Sequence, residues 1–317
     1  MEKVMLGSTG IEVTKLCFGA LPMGPLQKNM SVDDCADLVE AVLKSGINFI
    51  DTAQMYMTYK PIAIALKRVS ERPVIATKSA AATYEDMDFA VNQALNELGV
   101  DRIDIFHLHA ARGDENVFEE RKEALRCLHD YKKKGIIKAV GISNHSTIVT
   151  ALAAERDDID IVYPIINKKG LGILHGNVKE MEKSIEKCVE SGKGVYLMKV
   201  LGGGSLASDY KSAMEYAFSI KGIHAISLGM VSKEELLYNI EYFNNNGLTD
   251  GKLPDIKKLN KVFKVLDFVC NFCKSCIETC PNNAIVERKG KAFIDKDKCL
   301  TCGYCVGACP TFAIRMI

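Results

Sequence analysis

The chain has 317 residues, 48% of them apolar and 26% charged, with a formal net charge of +1. These proportions exclude a disordered, collagen-like or coiled-coil chain, and the near-neutral charge argues against nucleic acid or an anionic membrane as the main partner. No apolar run approaches the roughly 20 residues of a membrane span. The opening Met1-Glu2-Lys3-Val4 lacks the apolar stretch of a signal peptide, so a cytoplasmic protein is expected.

Residues 1–250 alternate short apolar runs with longer amphipathic stretches. The runs cover 16–20, 47–50, 74–77, 103–108, 136–142, 159–163, 194–198 and 225–228. Each is short and many positions are β-branched, so each reads as a strand buried on both faces, which means parallel pairing with helices outside. Between them, apolar residues recur with helical spacing. Cys35, Leu38, Val39, Val42 and Leu43 are followed by Gly46, and Phe89, Val91, Ala94, Leu95 and Leu98 by Gly99; a glycine just past the last turn is a common helix stop. Eight strand–helix units are the number that closes a (β/α)8 TIM barrel, so the fold class is α/β. An open doubly wound sheet is the alternative. It would want G-x-G-x-x-G after the first strand, and Gly19-Ala20-Leu21-Pro22-Met23-Gly24 lacks that spacing.

Asn, Gly and Pro cluster over 244–256 and the periodicity stops there. The expected division is a barrel over 1–250, a linker over 251–265 with a short helical stretch near 256–266, and a small module over 266–317. That module carries most of the 12 cysteines. Cys17, Cys35, Cys127 and Cys188 are scattered and read as small core residues. The other eight fall in two runs, Cys270-x2-Cys273-x2-Cys276-x3-Cys280-Pro281 and Cys299-x2-Cys302-x2-Cys305-x3-Cys309-Pro310. A cytosolic chain does not keep four disulfides in so short a segment, so a metal site is expected.

In this spacing three thiolates wrap one iron–sulfur cluster while the fourth is carried to the other. Cys270, Cys273, Cys276 and Cys309 are thus expected to hold one [4Fe–4S] cluster, and Cys280, Cys299, Cys302 and Cys305 a second. Structural zinc is the alternative, but zinc sites favour two separated C-x2-C pairs. The segment resembles a two-cluster ferredoxin along its whole length, which implies an α+β iron–sulfur fold.

Catalytic groups of a barrel belong at the C-terminal ends of its strands. Asp51 and Tyr56 follow the second run, Lys78 the third, His109 the fourth, and Ser143 and Asn144 the fifth. A phenol titrates near ~10 and is a weak acid at neutral pH; a buried ammonium beside it is expected to lower that value, with Asp51 keeping Lys78 charged. His109 can hydrogen-bond and orient a carbonyl oxygen. His107, two residues earlier on the same side of the strand, reads as a core histidine.

Residues 1–243 resemble the aldo-keto reductases. The resemblance rests on the opening Leu6-Gly7-Ser8-Thr9-Gly10-Ile11-Glu12-Val13, on Phe49-Ile50-Asp51-Thr52-Ala53 and on Val140-Gly141-Ile142-Ser143-Asn144. It implies a tetrad of Asp51, Tyr56, Lys78 and His109, with Tyr56 protonating a carbonyl oxygen as hydride arrives from NAD(P)H, and Ser143 and Asn144 at the nicotinamide. Three positions depart from the family. Tyr163 replaces the glutamine that contacts the carboxamide. Met198 replaces the stacking aromatic and is followed by Lys199, Leu201 and Gly202-Gly203-Gly204. In the last loop, which ends near Asn239, Gly229 and Glu235 stand where NADPH-selective members place lysine and arginine, so NADH is expected to serve at least as well as NADPH.

The combined reading is an NAD(P)H-dependent reductase of a small carbonyl compound, with a ferredoxin module that transfers electrons or docks a redox protein. Two alternatives are a reductase fed by the clusters, with or without a flavin, and an electron-transfer protein whose barrel is inert. In the family the segment after the eighth helix folds over the pocket, so the module is expected beside the barrel mouth.

Overall fold

The computed structural model describes residues 1–245, 262–280, 283–299 and 303–317. The chain opens with an antiparallel hairpin, β1 (Lys3–Met5) and β2 (Glu12–Thr14). Eight strands follow: β3 (Leu16–Gly19), β4 (Phe49–Asp51), β5 (Val74–Ser79), β6 (Ile103–Ala110), β7 (Ile137–Asn144), β8 (Ile161–Pro164), β9 (Gly194–Leu197) and β10 (Ala225–Gly229). They pair in sequence order, all parallel, and β10 closes the barrel against β3. The eight apolar runs are these eight strands. Where a boundary moves, it moves mainly at the C-terminal end. There Lys78, Ser79, His109, Ser143 and Asn144 extend the ladder although they are polar, because pairing is a backbone property.

The outer helices are α1 (Val32–Lys44), α2 (Tyr59–Leu66), α3 (Tyr84–Leu98), α4 (Val117–Glu120), α5 (Lys122–Lys133), α6 (Thr147–Ala154), α7 (Val178–Glu190), α8 (Tyr210–Ser219) and α9 (Lys233–Asn244). Five of them start on a side chain that accepts from the first turn: Ser31, Thr83, Ser146, Asn177 and Ser232. Such caps satisfy otherwise orphaned N–H groups and fix where each βα loop ends. The four scattered cysteines are buried in the barrel layers. Burial pushes the Cys35 and Cys127 thiols up to about 11, aided by nearby Asp34 and Asp88 respectively, which suits inert packing.

The C-terminal module contains β11 (Phe263–Val265), α10 (Ser275–Thr279), β12 (Ile285–Arg288), β13 (Lys291–Ile294), α11 (Tyr304–Ala308) and β14 (Ile314–Met316). β11 pairs antiparallel with β14, and β12 with β13. The helix expected near 256–266 is not present over Phe263–Val265, where the chain is a strand; residues 246–261 lie outside the described residues. The sequence repeat is also a backbone repeat. Lys274 and Gly303, which follow matching cysteines, are both left-handed at φ 66° and 82°, and so are Asn283 and Phe312, at 47° and 51°.

The module sits on the C-terminal mouth of the barrel. Arg112, in the loop after β6, donates to the Val269 carbonyl at 2.9 Å. Lys264 donates to the Gln27 carbonyl at 3.3 Å. Phe312 packs against Gly172, where a Cβ would fall 2.8 Å from its ring, and the Met316 side chain lies where a Cβ on Gly204 would be only 2.3 Å away. Both glycines have positive φ, so close approach and backbone conformation together require them.

Candidate active site and cluster centre

At the barrel mouth the Asp51 carboxylate accepts from Lys78 Nζ at 2.6 Å, from Tyr196 Oη at 3.1 Å and from Tyr163 Oη at 3.5 Å. Lys78 also donates to the Thr52 carbonyl at 2.7 Å. Both partners are almost wholly buried. For Lys78, burial works against the charged form, but Asp51 and the Tyr56 phenol outweigh it, and the net shift is upward. For Asp51, burial pushes the carboxyl up and Lys78 restrains it. The short contact makes the pair an ammonium–carboxylate.

Tyr56 ends a 3-10 turn over Gln54–Tyr56, and left-handed Met57 turns the chain away. Its ring lies 4.9 Å from the Lys78 ammonium and edge-on to His109, with centroids 6.0 Å apart. The phenol does not follow the sequence expectation. Burial raises its pKa, Lys78 only partly offsets this, and Asp51 adds to the rise. The lysine's field is largely spent on its own carboxylate. His109 is driven well below the ordinary histidine value by burial and by the positive charges of Lys78, Lys199 and Arg121. It is a neutral imidazole, able to donate one N–H but not to act as a strong acid.

His107 is deep in the barrel, as expected, and its Nε2 lies 2.7 Å from Tyr196 Oη. Because the Tyr196 proton goes to Asp51, the histidine Nε2–H supplies the other bond. The chain His107–Tyr196–Asp51–Lys78 braces the ion pair from below. The Tyr163 and Tyr196 rings stack at 3.9 Å. Sequence reading missed Tyr196, which carries no local signal in its apolar strand.

A cleft enclosing about 940 Å³, counting its open mouth, runs from Asp51 and Tyr56 past Tyr163, Met198, Lys199 and Leu201 to Gly229, Val231 and Glu235. Lys78 and His109 stand behind and beside Tyr56. Ser143 and Asn144 are buried at the end of β7. The Asn144 carbonyl accepts from Ser146 N at 2.9 Å, while its Nδ2 finds no acceptor among the described residues. Asn239 is not brought to the cleft: it accepts from Tyr210 Oη at 2.6 Å and donates to the Glu235 carbonyl at 2.7 Å. Glu235 faces the cleft and accepts from Val231 N at 2.8 Å. The Lys199 ammonium nitrogen lies 2.8 Å from His145 Nε2 and 5.1 Å from the Phe312 ring centre.

The far wall of the cleft comes from the C-terminal module: Arg315, Met316 and Ile317. The Arg315 guanidinium lies 3.8 Å from the Phe312 ring centre. Burial lowers its pKa to about 9, with Cys309 and Tyr56 acting the other way, so it stays charged at neutral pH.

Cys270, Cys273, Cys276 and Cys309 line one hollow of about 270 Å³, the set expected for the first cluster. Among the described residues no trio of His, Cys, Asp or Glu is close enough to hold a single ion, and a cubane needs its thiolates spread more widely than zinc does. The Sγ atoms of Cys280 and Cys309 accept from the N–H groups of Ala284 and Ala313, at 3.3 and 3.2 Å, so the repeat extends to the donors that would stabilise thiolate charge. Cys280, Cys299 and Cys305 of the second set are described; Cys302 lies outside the described residues.

Residues 15–218 match the family model described as the aldo/keto reductase family, and residues 269–314 match a 4Fe–4S dicluster domain. An L-galactose dehydrogenase of Arabidopsis thaliana is 22% identical over 281 residues, covering 76% of this chain and 87% of the plant protein. An uncharacterized ferredoxin of Methanocaldococcus jannaschii is 39% identical over 67 residues, covering 20% of this chain and 40% of its own. A solved aldo-keto reductase structure from Pseudomonas aeruginosa superposes with a TM-score of 0.66 at 23% identity, over 78% of this chain and 95% of that one, which shows the shared barrel fold.

Proposed function

The chain belongs to the aldo/keto reductase family and carries a C-terminal 4Fe–4S ferredoxin domain, and on that premise we propose that it is an NAD(P)H-dependent reductase of an aldehyde or ketone, with Tyr56 as proton donor and two [4Fe–4S] clusters. The carrying observation is the Asp51–Lys78 ion pair directly beneath the Tyr56 ring, with neutral His109 against its edge, at the end of an elongated cleft. The residues fit a nicotinamide dinucleotide. Tyr163 offers a flat ring on the cleft wall, while Ser143 and Asn144, buried at the end of β7, are not among the residues that line it. Gly229 and Glu235 also line the cleft.

Such a cofactor, when bound, would supply hydride to the carbonyl carbon. Everything else falls to side chains. His109 donates its N–H to the carbonyl oxygen and fixes its orientation. Tyr56 gives its proton to that oxygen as charge develops. Although burial raises the phenol pKa, an alkoxide is a stronger base than a phenolate, so the transfer runs downhill. Lys78 stabilises the phenolate left behind, and Asp51 with Tyr196 keeps Lys78 charged and aimed. The products are an alcohol and the oxidised nucleotide. Cys270, Cys273, Cys276 and Cys309 hold one cluster and Cys280, Cys299, Cys302 and Cys305 the other, for one-electron exchange with a redox protein.

The test is anaerobic titration of the cluster-loaded protein with NADH and NADPH, followed by a panel of aldehydes and ketones. Tyr56→Phe should lower kcat by about 10²–10⁴-fold, the range for general acid catalysis. Binding of neither nucleotide would overturn the proposal. The nearness of Phe312 and Arg315 to the cleft favours one second reading, reduction by electrons from the clusters. Turnover with chemically reduced clusters and no nucleotide would establish it instead.

A further inference from the structure

We propose that Arg315 is the anion-recognising residue of the cleft and selects carbonyl substrates that carry a carboxylate. This rests on the reductase reading of the same cleft. Arg315 is 5% exposed, yet it lines the cleft shared with Tyr56 and Asp51. Its Nη1 donates only to the carbonyl of its neighbour Ile314, at 2.9 Å. Its Nε–H has no acceptor, and no carboxylate pairs with it, among the described residues. A buried guanidinium left with free donors is costly unless an anion completes it.

Among the described residues the cleft supplies no such anion itself. Asp51 is committed to Lys78 and two tyrosines, and Glu235 accepts from Val231 N. The planar fork is held in place by stacking on Phe312, which packs in the space left by Gly172. A fixed guanidinium suits bidentate capture of a carboxylate. The anion could come from the substrate, from the diphosphate of the nucleotide or from a cluster ligated by Cys309. Arg315 shares the cleft with Tyr56, the proposed proton donor, and its charge reaches that phenol, which favours the substrate.

The experiment compares kcat/KM for 4-oxobutanoate against butanal and for 2-oxobutanoate against butanone, using cluster-loaded protein with NADH or NADPH. The same preparations are titrated calorimetrically with butyrate and butyramide. Wild type should favour the acids. Arg315→Gln should cut the acid-to-neutral ratio by about 10- to 100-fold, the scale of a charge-assisted hydrogen bond, and abolish butyrate binding, while Arg315→Lys restores part of both. Equal loss on acids and neutral carbonyls would overturn the proposal. So would weakened nucleotide binding with the ratio unchanged, which assigns the guanidinium to the diphosphate. A shifted cluster potential with the ratio unchanged would assign it to the cluster and overturn it as well. If no carbonyl turns over but butyrate still binds through Arg315, the reductase reading falls and the anion site stands.

Discussion

Replacing Lys78 with Met tests the centre of the site through stability as well as activity. At 2.6 Å and an effective dielectric of 20, the gross attraction between Lys78 and Asp51 is about 6 kcal/mol. Removing one partner of a buried pair typically costs about 3–5 kcal/mol, because the other charge is stranded. Here Tyr196 at 3.1 Å and Tyr163 at 3.5 Å still donate to Asp51, which points to the lower end, about 3 kcal/mol. The stranded carboxyl is pushed up by burial with no ammonium to restrain it. The folded state then binds a proton that the unfolded chain releases near pH ~4. A raised folded-state pKa gives stability that is full below the unfolded value and lost as pH rises. The deficit of Lys78→Met relative to wild type should therefore shrink on acidification, by about 1.4 kcal/mol for each pKa unit of elevation. Anaerobic urea unfolding at pH 5.5 and 8.0, followed by far-UV circular dichroism, reads this directly. The double variant Asp51→Asn/Lys78→Met should recover much of the loss without recovering activity. A single-variant cost under about 1 kcal/mol, independent of pH, would refute the buried ion pair.

His109 is held well below the ordinary histidine value, so kcat/KM should be flat between about pH 6 and 8; an inflection near pH 6.5 that vanishes in His109→Gln would show that the imidazole titrates in that range. On the proposed reading Glu235, which accepts from the Val231 N–H, stands near the 2′-phosphate of a bound NADPH. NADPH should bind no more tightly than NADH, and Glu235→Gln should improve NADPH over NADH by roughly tenfold after salt screening. A marked NADPH preference in wild-type fluorescence titrations would remove this role for Glu235.

The barrel was legible because eight buried parallel strands leave eight unbroken apolar runs, and the polar residues that end them stand out against that background. Asp51, Tyr56, Lys78 and His109 are visible for this reason, and the cysteines by spacing alone. What could not be read depends on contacts between distant segments. Tyr196 looks like one more apolar strand residue until its hydroxyl is seen on Asp51. The run Gly202-Gly203-Gly204 has no local meaning; it is the surface on which Arg315 and Met316 lie. The direction of the Tyr56 shift was misjudged because desolvation, set by the surrounding packing, exceeds the nearby lysine charge. One signal was available for the C-terminal wall. The two cysteine repeats match closely, yet Asn283 and Val286 in the first become Phe312 and Arg315 in the second. Both face the barrel, Phe312 against Gly172 and Arg315 against Gly203.

This asymmetry bears on why a hydride-type site and one-electron clusters share a chain. Arg315 lies on the strand that follows Cys309, and β14 carries it into the cleft wall. Small metal-binding modules draw much of their folding free energy from the metal. Loss of the clusters is therefore expected to loosen the wall that Arg315 and Met316 form, and limited proteolysis of iron-depleted protein would read it. The two halves are in contact at that wall whether or not an electron crosses between them. Iron loss would open the cleft and remove its unpaired cation together, leaving the Asp51–Lys78 pair intact on β4 and β5.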